Sequence, residues 1–114
     1  MDRGRPVAVV KAELFKGLAH PLRIRILELL TAADEVSVSG LLVDTGLEAS
    51  HLSQHLRVLR GYGLVLSERR GSTVHYRLAH GSVADLLAVA RTLLGEVVED
   101  RRRLADAHAE DIRP

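Results

Sequence analysis

Cysteine is absent from the 114 residues. That excludes disulfides, thiolate metal sites, cysteine nucleophiles and thiol redox switches together. Aromatic residues make up only 3% and tryptophan is missing, so a core must be built from Leu, Val, Ile and Ala. No apolar run approaches the ~20 residues of a membrane span. The opening stretch MDRGRPVAVVKAELFKG has no long apolar segment followed by a small-residue cleavage site, so no signal peptide is expected. A cytoplasmic protein with no membrane partner is therefore expected. Also missing are a Gly-x-Ser-x-Gly elbow, a phosphate loop, and clustered carboxylates beside a base, so an enzyme is not expected.

What is present is an uneven charge. The net charge is only +1, yet residues 48–77 hold five Lys/Arg against two Asp/Glu, with three histidines among them. Residues 1–25 hold six basic against two acidic side chains, whereas residues 26–47 hold four acidic and no basic ones. Nucleic-acid binders concentrate basic charge in this way. The length suits one domain, 1–114, with tails expected at 1–7 and 106–114.

Residues 8–18 place Val10, Leu14 and Leu18 at helical spacing. In AHPLRIRILELL, His20 can cap a second helix with Pro21 in its first turn, and Leu22, Ile26, Leu29 and Leu30 share a face. A short helix is expected from about Ser39 to Thr45, closed by Gly46. The next helix covers EASHLSQHLRVLRGYG, with Ala49, Leu52, Leu56 and Leu59 inward and Gly61 and Gly63 at its end. Only TGL separates these two, the short turn of a helix-turn-helix. In LVLSERRGSTVHYRL the period changes: Val74, Tyr76 and Leu78 alternate with Thr73, His75 and Arg77, a β-hairpin with a basic RRGS tip. A last helix starts near Ser82. Its stripe of Val83, Leu87, Ala90, Leu94, Val97 and Leu104 is longer than a small domain needs to cover itself, which points to a second copy as its cover. The fold class is mainly α with a small β-hairpin, in the order of a winged helix-turn-helix.

LAHPLRIRILELL, ASHLSQHLRVLRGYGLV and RRGSTVHYRL, in this order and spacing across roughly residues 10–98, resemble the ArsR/SmtB family of bacterial winged-helix repressors. The resemblance implies a homodimer built on the first and last helices that binds a palindromic operator in double-stranded DNA and is released by an effector. It also implies where metal ligands would stand. Ser37-Val38-Ser39 occupies the place of the Cys-x-Cys pair of arsenic and heavy-metal sensors, and hydroxyls are poor ligands for soft metals. The zinc- and nickel-type positions fall at about His80, Ser82, Leu93 and Glu96, where Leu93 cannot ligate and two ligands do not close a tetrahedral site. No metal and no cofactor are expected, and the effector stays unidentified.

The resemblance makes 49–60 the recognition helix, and the inward leucines agree. Ser50, His51, Gln54, His55 and Arg57 then face a major groove, with Gln54 as the adenine reader. His51 and His55 stand four apart, a spacing that also suits a metal. Leu52 and Leu56 fix the buried face, no third ligand lies near in sequence, and the pair is read as groove-facing, with His51 closer to the DNA and packing or bonding at the helix edge as the alternative for His55. Thr45 and Arg60 are candidates for phosphate contacts, Ser53, commonly serine in the family, for close packing or a phosphate contact, and Arg69 and Arg70 for a minor-groove or phosphate contact from the hairpin. Glu48, at the helix start, is a weaker cap than the Ser or Asp common there in the family. The expected dimer seam comprises Val10, Leu14, Val83, Leu87, Ala90, Leu94 and Val97. Two other readings stand beside the repressor: a metal sensor of the zinc/nickel type using non-cysteine ligands, and a protein-interaction module with residual DNA binding.

Overall fold

The computed structural model describes residues 4–111, divided into two units, Met1–Ala84 and Asp85–Pro114. The first unit holds four helices and a sheet: α1 (Val7–Leu18), α2 (Pro21–Ala32), β1 (Val36–Ser37), α3 (Val38–Thr45), α4 (Ala49–Gly61), β2 (Val65–Arg70) and β3 (Thr73–Leu78). A final helix, α5 (Gly81–Asp111), begins at its end, and from Asp85 onward it belongs to the second unit. This is a winged helix-turn-helix, mainly α with a small antiparallel sheet.

Local chemistry explains the helix ends. The His20 ring caps α2, its Nδ1 accepting from the Leu22 N–H at 3.1 Å, with Pro21 in the first turn. Ser37 caps α3 by accepting from the Gly40 N–H at 3.0 Å, so this serine has a structural task here. Gly46 closes α3 in the left-handed region at φ 69°, a conformation that costs an ordinary residue roughly 1–2 kcal/mol. Arg23 satisfies the end of α1, donating from Nε to the Gly17 carbonyl at 2.8 Å and from Nη2 to that of Lys16 at 3.0 Å. The Tyr62 ring covers Gly17 so closely that a Cβ there would lie 2.7 Å from its Cγ.

The core is aliphatic, as the composition requires. Ile26, Leu27 and Leu30 of α2, Leu41 of α3, Leu52, Leu56 and Leu59 of α4, and Val65 and Tyr76 of the sheet are buried, and α2 packs against α3, α4 and β3. Each fully buried Leu or Ile contributes roughly 1.5–3 kcal/mol of transfer free energy. The hairpin turns on Gly71 and Ser72, since Arg70 pairs with Thr73. Gly71 has φ 62° and no non-glycine residue has a positive φ among the described residues, which makes this a type II′ turn.

Three expectations change. The two-residue strand β1 was not anticipated; it lies on the other side of β3 from β2, with Val36 opposite Tyr76 and Ser37 opposite His75. The last helix starts near Ser82 as expected, at Gly81, but with Ser82 inside it and not at its cap, and it continues to Asp111, through much of the expected tail. Residues 1–3 and 112–114 of the expected tails lie outside the described residues, and α1 already begins at Val7. Val83 is a core residue, only 6% exposed, and so is withdrawn from the dimer seam.

Candidate nucleic-acid interface

Helix α4 presents one buried and one open face. At about 100° per residue, Ser50, Gln54 and Arg57 fall within roughly 60° of one another, opposite Leu52 and Leu59. All three are exposed, as are His51 and Ser53 on the flanks, and Val58 is half-buried. Arg57 has no ion-pair or hydrogen-bond partner among the described residues. Glu48 precedes the helix without a side-chain cap bond, leaving its first N–H groups open. A helix with an open polar stripe and a free guanidinium can offer donors and acceptors to base edges and phosphates.

His55 is corrected. It is 6% exposed, and neither ring nitrogen has a hydrogen-bond partner. Its ring centroid lies 4.5 Å from that of His20 and 5.0 Å from that of His51. The reason is helical geometry. The buried line of α4 runs through Leu52 and Leu59, and His55 and Leu56 sit about 50° to either side of it. Ala49, expected inward, is exposed. Burial pushes the His55 ring below its ordinary pKa, and the nearby His20, His51 and Arg23 push the same way. His55 therefore belongs to the packing beneath the helix, and His51 is the histidine at the surface.

Two more candidates are committed within the protein. The Thr45 hydroxyl donates to the Leu41 carbonyl at 2.6 Å and accepts from the Leu47 N–H at 3.3 Å, which makes it part of the turn between α3 and α4. Arg70 bridges two carboxylates: it is paired through both terminal nitrogens with Glu35, at 2.7 Å from Nη2 to Oε2, and with Glu68 at 2.8 Å. These bonds hold the carboxyls of Glu35 and Glu68 below the usual range and raise the pKa of the guanidinium. Arg69 is exposed and free of such partners among the described residues. Arg60 is exposed and donates to the Ser67 hydroxyl at 3.4 Å, linking the end of α4 to the wing. The sequence reading missed Glu35, because no local pattern marks a pairing across 35 residues, and Glu68, which shares a strand face with Arg70 two residues away.

Of the expected seam, Val10, Leu87 and Val97 are half-buried, and Leu14, Ala90 and Leu94 are exposed. Among the described residues, no three His, Cys, Asp or Glu side chains are grouped to hold a metal ion, and no helix is long and apolar enough to cross a membrane.

A helix-turn-helix followed by a wing, with an open polar stripe on its second helix, defines a DNA-binding transcriptional regulator and not an enzyme. Residues 20–67 match the family described as bacterial regulatory protein, arsR family. The chain is 51% identical over 96 residues to the uncharacterized HTH-type transcriptional regulator Rv0081 of Mycobacterium tuberculosis, covering 84% of each chain. The crystal structure of that protein superposes with a TM-score of 0.79 at 52% identity, over 85% of this chain and 97% of the other. The homodimeric winged helix-turn-helix domain Mb0332 of Mycobacterium bovis, solved by NMR, superposes at 0.73 with 32% identity, over 84% and 88%. The arsenical resistance operon repressor of Escherichia coli is 39% identical over 67 residues, covering 59% of this chain and 57% of that one. The chain belongs to the arsR family of bacterial regulatory proteins.

Proposed function

We propose that the chain is a homodimeric repressor that binds a palindromic operator, each protomer laying α4 in one major-groove half-site. Gln54 reads adenine, Ser50, His51 and Ser53 contact bases or phosphates near the helix start, and Arg57 reaches guanine or phosphate. Arg60 adds a phosphate contact, and Arg69 carries the wing's contact with the backbone or minor groove. The observation that carries this reading is the open stripe of Ser50, Gln54 and Arg57 opposite a leucine face that is wholly buried. The homodimeric state of the M. bovis relative and the exposed leucines of α5 support the dimer. The E. coli relative's role as an operon repressor supports repression.

Footprinting of the purified chain on the DNA upstream of its own coding sequence tests the proposal. The expected result is protection of a two-fold symmetric site, with affinity falling by about 0.9 log units per phosphate contact for each tenfold rise in salt. Protection of no symmetric site at moderate salt would overturn it.

A further inference from the structure

The wing carries two adjacent arginines with opposite surroundings. In a strand, successive side chains point to opposite faces. Glu68 and Arg70 of β2 therefore share a face with Thr73 and His75 of β3, and with Ser37, which stands opposite His75. Glu35, two residues before Ser37, joins the same face. Its Oε1 lies 3.5 Å from the His75 Nδ1, and both its oxygens are held by Arg70. The strand order is β1-β3-β2, so Arg70 and Glu35 come from opposite sides of β3. The guanidinium thus crosses the sheet and links its two outer edges, which share no backbone ladder. Thr73 adds a bond from its hydroxyl to the Arg70 carbonyl at 2.9 Å, next to the turn.

Arg69 lies on the other face with Ser67, the residue that accepts from Arg60 of α4. It is the wing arginine on the side tied to the recognition helix. A guanidinium that already bridges two carboxylates exchanges one set of charge-assisted bonds for another if it turns to a phosphate, and leaves two carboxylates bare beside the DNA. A free guanidinium loses nothing comparable. A two-stranded hairpin is also marginal by itself, and β1 pairs only with His75 and Tyr76, short of the tip.

We propose that Glu35, Glu68 and Arg70 are positioning residues that lock the wing across the sheet, and that Arg69 is the wing's DNA-contacting arginine. This rests on the DNA-binding reading above. It makes a counter-intuitive demand: removing negative charge from the wing weakens DNA binding.

The test is fluorescence anisotropy of the full chain on duplex DNA of random sequence across a salt series, beside amide exchange of the wing without DNA. Arg69→Gln is expected to reduce the slope of log affinity against log salt by about 0.9 for each protomer bound, about 1.8 for a dimer with both wings engaged. Arg70→Gln, and Glu35→Gln with Glu68→Gln, are expected to weaken binding about two- to fivefold at an unchanged slope, the scale of a broken exposed ion-pair network. They should also speed exchange of the amides of residues 67–74. Arg70→Lys keeps the charge but not the two-sided bridge, and should behave like Arg70→Gln. The inference is overturned if the glutamine pair at 35 and 68 tightens binding. It is equally overturned if Arg70→Gln lowers the slope as Arg69→Gln does, if lysine rescues position 70, or if wing exchange does not change. Wild-type protein that binds no DNA at any salt would instead sink the DNA-binding reading itself.

Discussion

His55 is a polar ring placed where the fold wants an apolar one. Both its nitrogens lie unpartnered, and the charged or chargeable groups acting on it are His20, His51 and Arg23, with no carboxylate among them. A proton on His55 would be buried without an acceptor. The folded chain therefore holds His55 below its ordinary value of 6.5, while the unfolded chain protonates normally. The stability is complete above that unfolded value and is lost as pH falls through it toward the lowered folded value. Urea midpoints measured from about pH 7 down to pH 5 should fall in the wild type and much less in His55→Leu, which should also gain about 1 kcal/mol by removing unpaired polar atoms. A steeper acid dependence in the variant would contradict this account.

His51 is exposed on the helix flank, where its ring can reach a phosphate. His51→Ala should weaken binding to operator and random duplex alike in anisotropy titrations. Unchanged affinity would remove His51 from the phosphate contacts. Gln54→Ala should relax preference at one base pair in each half-site, at a cost of about 1–3 kcal/mol on the preferred sequence, as read from competition with singly altered operators.

Among the elements, the turn between α3 and α4 sets how the recognition helix is delivered. Gly46 holds φ 69° with open space around its Cβ position, so a side chain there meets strain and no clash. Gly46→Ala should cost about 1–2 kcal/mol in chemical denaturation, and Gly46→Asn less, because asparagine visits this region more easily. Equal losses for the two would point to a steric cause instead. The longer helices and the hairpin were legible in the sequence because the helices repeat their apolar residues over two turns or more and β3 alternates across six residues. β1 was not, since two residues carry no period. His55 was misread for a related reason. Taking Ala49 with the three leucines shifts the inferred buried line toward Leu56, and the ring then falls outside it. Arg69 and Arg70 look equivalent in sequence; only the strand alternation and a glutamate 35 positions away separate them.

For the whole molecule, the unexplained quantity is apolar surface. Val89, Leu93, Val98 and Leu104 are all exposed on α5, and Leu94 is 62% exposed. Val7, Val9 and Phe15 of α1 are exposed too. Helices that display this many aliphatic side chains bury them against something, and a second copy offers the same stripe in return. Sedimentation should then give about twice the 12.5 kDa chain mass at micromolar concentration. Leu94→Glu sets a charge into the seam of each copy without touching the winged unit's core. It should shift the chain to the monomer while its circular dichroism remains helical. DNA binding should fall with it in a particular way: a monomer engages one half-site, so the salt slope on a two-half-site operator should drop by roughly half, because half the phosphate contacts are lost. A monomeric variant that keeps the full slope would mean that each chain reads its site independently, and a dimer that survives Leu94→Glu would place the seam elsewhere.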